Sequence, residues 1–592
     1  MTPPAGSPTP DPSTADPRDQ MSSQPQRPGP SGETVLRHTW RRLDPSSALR
    51  LGEQKLQTTD YLGNQLVVRP PLCQADEAAI YDALTAVAKQ RGFRAVRDRT
   101  NRDLVTRARE VVANDEVIPI VERVELTPLD PDGLITQADA WEILQHYRAR
   151  SGLTEAQRQA VQLNHVITSH PGEPAAHKDP LEKPTPYWHP TLISPTPYWH
   201  PTPATGNPYW HPVGTTGNPY WHPTGIEEYA TPGFGGRTPV QFVGPPPTPT
   251  AGSGEVSRPP VIAVLDTGVA EHHWLTAEFV DRQPCFDGIR IGLTDPEPVP
   301  SDDPRDNADL LGGLAVTTGH GTFIAGLIRQ TCPDARILAV RVIQGDGVVA
   351  EADLLDALGM LWLRQRTALA DRQSDQLIDV VSLSLGYYHE QYGDRAFDPF
   401  LLAPLRALAR LGVTIVTSAG NDATVRPMYP AAFAPWGKGP IREPSSSELP
   451  VIAVGALNPD GTIAMFSNEG PWVSAYRPGA ALLSTLPLVD GSRSPTAALV
   501  SGTPHLFRST IDPDDFRSGF GIWSGTSFAA PILAAELARQ LLADDDFGTD
   551  ADFEPRAAVA RGWAAVAAAS PYTARPESES TDSPGADPES SR

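Results

Sequence analysis

Cysteine is scarce in this chain of 592 residues, with three, at Cys73, Cys285 and Cys332. They are odd in number, far apart, and include no Cys-x-x-Cys pair, which excludes a disulfide framework and a cysteine-built metal finger. Reduced, mostly buried thiols of a cytosolic protein are expected. A basic field is also missing. The 48 Lys and Arg stand against 71 Asp and Glu, a formal charge of −23, so nothing gathers phosphates and nucleic acid is not an expected partner. No stretch approaches the ~18 uninterrupted apolar residues of a membrane helix. The first 31 residues hold nine prolines and no apolar run of the length a secretion signal needs. These absences lead us to expect a soluble, cytoplasmic protein that makes no membrane contact.

What is present divides the chain by texture, and its length suits two or three domains. Residues 1–34 are rich in Pro, Ser, Gln and Asp and are expected to be disordered. Residues 35–170 have the composition of a small α/β domain. NQLVVRP and VIPIVERVEL read as strands, and ADEAAIYDALTAVAKQ and DAWEILQHYRAR as helices, the former with Ile80, Leu84 and Val87 at helical spacing. Residues 171–257 are a Pro- and Gly-rich linker, expected to alternate between polyproline II and turns.

That linker carries Pro-Tyr-Trp-His-Pro four times, with Tyr187, Tyr198, Tyr209 and Tyr220 eleven residues apart, and holds four of the twelve tryptophans. A semi-rigid spacer explains the prolines but not the Tyr-Trp-His core. An array of weak sites for a partner, or a substrate carried on its own chain, fits a fixed core with drifting spacers. A metal gathered by the recurring histidines has no fixed geometry to support it.

From residue 258 the apolar, β-branched runs VIAVLD, RILAVRV, IDVVSLS, VTIVTS and VIAVG alternate with helical patterns near 320–330, 351–369, 399–411 and 526–543. Such alternation predicts an α/β fold with a parallel sheet covered on both faces. Residues 546–592 read as a short helix and a disordered acidic tail.

In such a sheet, ligands bind beyond the carboxyl ends of the strands. VIAVL ends in Asp266-Thr-Gly-Val, Gly319-His320-Gly heads an amphipathic helix, and Gly525-Thr-Ser527 opens another. A carboxylate, an imidazole and a hydroxyl in that order are one arrangement of a nucleophilic triad. Singly, each has a plainer reading: Asp266 as a turn residue, His320 as a core histidine, Ser527 as a helix cap. The flanking Gly319, Gly321 and Gly525 favour the triad, because they let backbone pass close to a substrate.

With these motifs, residues 258–545 resemble the subtilisin-like serine proteases, or subtilases. Ser418-Ala419-Gly420-Asn421-Asp and Ser384-Leu385-Gly386 fall in the family order, as do Tyr429-Pro-Ala, Val451-Ile-Ala-Val-Gly-Ala, Phe466-Ser-Asn468 and Pro478-Gly479. The resemblance implies a three-layer fold around a mainly parallel central sheet. It implies Ser527 as nucleophile, His320 as general base, Asp266 as its orienting carboxylate and Asn421 as an oxyanion donor. Ser384, Leu385 and Gly386, with Ser418, Ala419 and Gly420, would line the substrate, a peptide or protein. Pro531, inside the helix that Ser527 opens, is shared with the family.

Two insertions depart from the family pattern. TDPEPVPSDDPRDNAD, between Asp266 and His320, reads as a solvated loop; its oxygen ligands would suit calcium, but no motif supports a site, and no cofactor is expected. The stretch 489–521 would overhang the cleft. The domain at 35–170 reads either as a prodomain or as a substrate-recognition domain, and the intervening linker of roughly 85 residues weighs against the former. The rival to a serine endopeptidase is an inert fold in which the repeats recruit a partner.

Overall fold

The run VIAVLD forms strand β5 (Val261–Asp266), buried at all six positions. In the computed structural model, it lies inside a seven-stranded sheet. The structure describes residues 40–51, 55–71, 73–98, 101–111, 118–130, 137–169, 237–241, 244–249, 258–293, 317–343, 347–390, 399–436, 447–489, 497–499, 506–509, 511–512 and 515–569. The tail at 1–34, the four repeats, the acidic insertion and the end beyond 569 lie outside them.

Residues 60–168 form four strands and three longer helices: β1 (Asp60–Val68), α1 (Gln74–Gln90), β2 (Phe93–Arg97), α2 (Arg102–Val111), β3 (Glu122–Pro128), α3 (Ala140–Arg148) and β4 (Val161–Thr168). Of these, β2, α2 and β4 have no counterpart in the sequence reading. The run VIPIVERVEL enters the ladder only from Glu122; its leading Ile118 and Ile120 are buried without strand pairing.

The second half continues from β5 with α4 (His320–Thr331), β6 (Arg336–Arg341), β7 (Val348–Ala350), α5 (Glu351–Asp371), β8 (Val380–Leu383), α6 (Pro399–Arg410), β9 (Thr414–Ser418), β10 (Val451–Leu457), β11 (Ala475–Pro478), β12 (Leu482–Thr485), β13 (Phe520–Trp523), α7 (Thr526–Leu542) and α8 (Pro555–Ala568). The large sheet runs β11-β10-β9-β8-β5-β6 and ends on Val280–Asp281, every neighbouring pair parallel. Its alternate residues face opposite cores. Ala263, Leu265, Val381 and Ile415 pack with the side chains of α5 and α6, while Ile262, Val264, Val416 and Ile452 pack with those of α4 and α7. This is the three-layer α/β arrangement expected, and it explains why these strands are apolar throughout.

The smaller sheet runs β7-β4-β1-β3-β2, antiparallel at each pairing, so it takes a strand from the second half of the chain. Leu66 and Val68 of β1 face a core with Leu84, Trp141 and Leu163. Val67 and Ile167 face the other way, into the core that contains α5. Residues 60–168 are thereby packed onto the second half rather than held away from it.

Two shorter observations complete the frame. Within the expected linker, Thr238–Pro239 pairs with β13. Past residue 545, Asp552 binds both Arg258 and Arg561, each at 2.5 Å, closing the start of the second half against its end. The cysteines are free, but Cys73 and Cys285 are exposed and only Cys332 is buried. This corrects the expectation of mostly buried thiols: Cys285 lies on a two-residue edge ribbon and Cys73 immediately precedes α1, both exposed among the described residues.

Candidate active site

Register brings three carboxyl strand ends side by side. Leu383 of β8 lies opposite Leu265 of β5 on one side and Thr417 of β9 on the other. Asp266, Ser384 and Ser418 therefore leave the sheet as neighbours. Asp266 is the last residue of β5, and its Oδ1 accepts the amide of Thr267 at 2.8 Å.

His320 is the first residue of α4, and its Nδ1 lies 2.8 Å and 3.0 Å from the two carboxylate oxygens of Asp266. Both residues are almost completely buried. The carboxylate selects the Nδ1–H tautomer and leaves Nε2 as the ring's basic atom. The ring packs against Trp523 and against Phe528, the residue after Ser527, at centroid distances of 5.7 Å and 5.2 Å.

Two glycines set this pair through their contacts within the chain. A Cβ on Gly321 would stand 2.2 Å from the carbonyl oxygen of Gly268, and the Gly321 amide donates to Thr267 Oγ1 at 3.0 Å. Gly319 caps the helix at φ +79°, a conformation that favours glycine. Both let the chain pass close to its own neighbours, and that is how histidine and aspartate are brought together.

Ser527 lies in the first turn of α7, its carbonyl accepting the hydroxyl of Ser384 at 2.8 Å. Asn421 approaches from the loop after β9. Its Oδ1 accepts both the amide and the hydroxyl of Thr526, each at 2.8 Å, which turns the amide NH2 away from those contacts as a donor. The Thr526 hydroxyl also accepts the Gly420 amide at 3.1 Å. Asn468 braces the same loop: its Nδ2 donates to the Ala419 carbonyl at 2.9 Å, and its Oδ1 accepts the amides of Asp422 and Thr424 at 3.0 Å and 3.2 Å. Thr526 and Asn468 were not singled out as site residues from sequence. Each stood inside a quoted motif, but the bonds that give it a role join segments far apart in the chain.

The segment Ser384-Leu385-Gly386, expected to line the substrate, is already paired at Gly386. Gly386 forms an antiparallel bridge with Thr168, the last residue of β4, while the opposite edge of β4 pairs with β7, Val348 against Thr168. The Ser169 amide donates to Gly347 at 3.3 Å. The end of β4 therefore lies between two segments of the second half, as an extended peptide would.

Hydrogen bonds and ion pairs hold it there. Gln162 Nε2 donates to Glu351 at 3.0 Å, and Asn164 Oδ1 accepts the amide of Ala352, capping α5 from another part of the chain. Arg123 of β3 binds Asp353 and Asp356 in the first turns of α5. His165 lies between Glu351 and Glu390, 2.6 Å and 2.9 Å away. Burial would lower the pKa of its ring, yet the two carboxylates lift it to about 10.

The family model described as the subtilase family matches residues 257–562, more than half of the chain. The chain is a subtilase. Among its curated relatives, "Serine protease AprX" of Bacillus subtilis (strain 168) is 28% identical over 309 residues, covering 49% of this chain and 58% of the relative. "Thermophilic serine proteinase" of Bacillus sp. (strain AK1) is 30% identical over 253 residues, covering 41% and 49%. This subtilase thus spans about half the length of the curated relatives it matches. A solved structure described as a cold adapted subtilisin-like serine proteinase aligns over 50% of this chain and 80% of its own, at 18% identity and a TM-score of 0.30. Among the described residues, no helix of this subtilase is long and apolar enough to cross a membrane.

Proposed function

We propose that this subtilase is a serine endopeptidase held closed by its own residues 41–169. The observation that carries the chemistry is the buried Asp266–His320 pair beside a helix opened by Ser527. Ser527 Oγ attacks the scissile carbonyl carbon and passes its proton to His320 Nε2. His320 then gives that proton to the leaving amine, and water releases the acyl group by the same route reversed. The Ser527 amide and Asn421 Nδ2 are the donors for the oxyanion.

The pairing of Thr168 with Gly386 supports the closed state. It favours a blocking role for the N-terminal region over one that recruits substrate, because the strand occupies the edge a substrate would need. The sequence links the repeats to the same edge. His-Pro follows directly on Ser169, at His170-Pro171, and its only other occurrences are the four repeat ends, at His189, His200, His211 and His222. We read the repeats as tethered peptides that compete for this edge once β4 leaves it.

A fluorophosphonate probe and mass spectrometry of the full-length chain, against a Ser527→Ala control, test the proposal. The expected result is serine labelling that rises as residues 41–169 are released, with fragments spanning 184–225 formed only when Ser527 is present. A chain that never labels is not a serine hydrolase. One that labels fully while β4 stays protected from exchange is not blocked by it.

A further inference from the structure

We propose that His165, His389 and Glu390 form a zinc site that joins β4 to the loop following Gly386, with Glu351 orienting His165. Zinc is the ion that two imidazoles and a carboxylate suit. These three residues are all buried, and their donor atoms lie within 4.8 Å of one another, the one such group among the described residues. Glu390 Oε2 is 2.9 Å from His165 Nε2 and 3.5 Å from His389 Nε2. It stands between the two rings as a shared ligand would.

The far side of the His165 ring is also set. Its Nδ1 lies 2.6 Å from Glu351 Oε2, and the ring stacks on Tyr387 at a centroid distance of 4.7 Å. A carboxylate on one imidazole nitrogen fixes the tautomer and aims the other nitrogen at the metal, the usual support around a histidine ligand. Stability alone does not account for the cluster. Buried ionic groups are often replaceable by apolar side chains without loss, yet this one sits where two parts of the chain meet. Zinc would displace the proton shared between His165 Nε2 and Glu390, releasing it to solvent.

The consequence for activity rests on the blocking role of β4; the binding of zinc does not. His165 is three residues from Thr168, and Glu390 four from Gly386, so an ion held by both would pin the strand in the cleft. Chelation would then open it.

The test uses the full chain carrying Ser527→Ala, with His189, His200, His211 and His222 changed to Asn so that the repeats bind no metal. Titration with zinc chloride is expected to show one ion per chain. His165→Ala and His389→Ala should each weaken binding at least about 100-fold, and Glu351→Gln about 10- to 100-fold. X-ray absorption of the zinc-loaded chain needs no variant at the site itself and should report two imidazoles with carboxylate oxygen. Failure to take up zinc overturns the site and leaves a proton-bridged ion cluster. Equal affinity in all variants, or a zinc shell without imidazole, overturns it as well. If zinc binds as stated while chelation leaves hydrogen exchange of β4 unchanged, the site stands and the blocking role falls.

Discussion

Thr168 and Gly386 exchange both backbone hydrogen bonds, Thr168 N to Gly386 O at 3.1 Å and Gly386 N to Thr168 O at 2.9 Å. Replacing Thr168 by Pro removes one donor and disturbs the ladder on both sides of β4. Freshly folded Thr168→Pro protein is expected to hydrolyse a small peptide with a shorter lag than the parent, at the same final rate. A lag that is unchanged or longer contradicts the blocking role.

At the proposed oxyanion site, the bonds from Thr526 to Asn421 separate orientation from chemistry. Asn421→Ala should lower turnover by about 10²–10³, the loss typical of one removed donor. Thr526→Val keeps the amide but leaves Asn421 Oδ1 one partner short and takes the acceptor from the Gly420 amide, and a fall of about 10- to 100-fold is expected from an unsatisfied buried donor. Both losses should appear in kcat with KM little changed, and Ser527→Ala should show no turnover. Steady-state kinetics on one peptide decide between these outcomes.

How far the chain could be read before its structure follows from what each signal depends on. Val261–Asp266 and the helices opened by His320 and Ser527 were legible because covered strands and amphipathic helices mark their own residues. The motifs around His320 and Ser527 stood out because Gly319, Gly321 and Gly525 punctuate them. Val161–Thr168 was not, since QLNHV breaks any simple alternation: Gln162, Asn164 and His165 are buried against Glu351, Ala352 and Glu390, partners about 190 to 225 residues away. Polar residues that pay for their burial with distant partners look like loop residues in sequence.

His272 gives a pH dependence to stability. Burial, with His273 beside it, lowers its pKa to about 4, against a small opposing effect of the Gly519 carbonyl. Nε2 bonds that carbonyl at 3.0 Å, and Nδ1 accepts the Trp274 amide at 3.1 Å, so a second proton breaks the latter bond. An imidazole whose pKa is depressed on folding contributes stability above about pH 6.5 that is lost as pH falls toward 4. The melting temperature of the parent should drop over that window, and the drop should be smaller in His272→Asn. Parallel curves for the two proteins exclude this histidine as the cause.

The thiols should divide two to one. Cys73 and Cys285 are exposed, whereas burial, with Asp334 nearby, pushes the Cys332 thiol up to about 11. At pH 8, iodoacetamide is expected to modify two cysteines per folded chain, and the third only after denaturant, because the thiolate is the reactive form. Peptide mapping that finds Cys332 modified in the folded protein contradicts its placement.

Strand β4 is an interior strand only while Val348–Ala350 covers one of its edges. Cut free of the second half, residues 41–169 would present unmet amides and carbonyls along Val166–Thr168, with Val67 and Ile167, which pack into the core containing α5 in the intact chain, bared beside them. A bare apolar edge of that kind is a template for self-association. A released N-terminal fragment is therefore an unsafe product for any cell to keep. Its rapid destruction, which the proposed peptidase would be well placed to carry out, would make release irreversible.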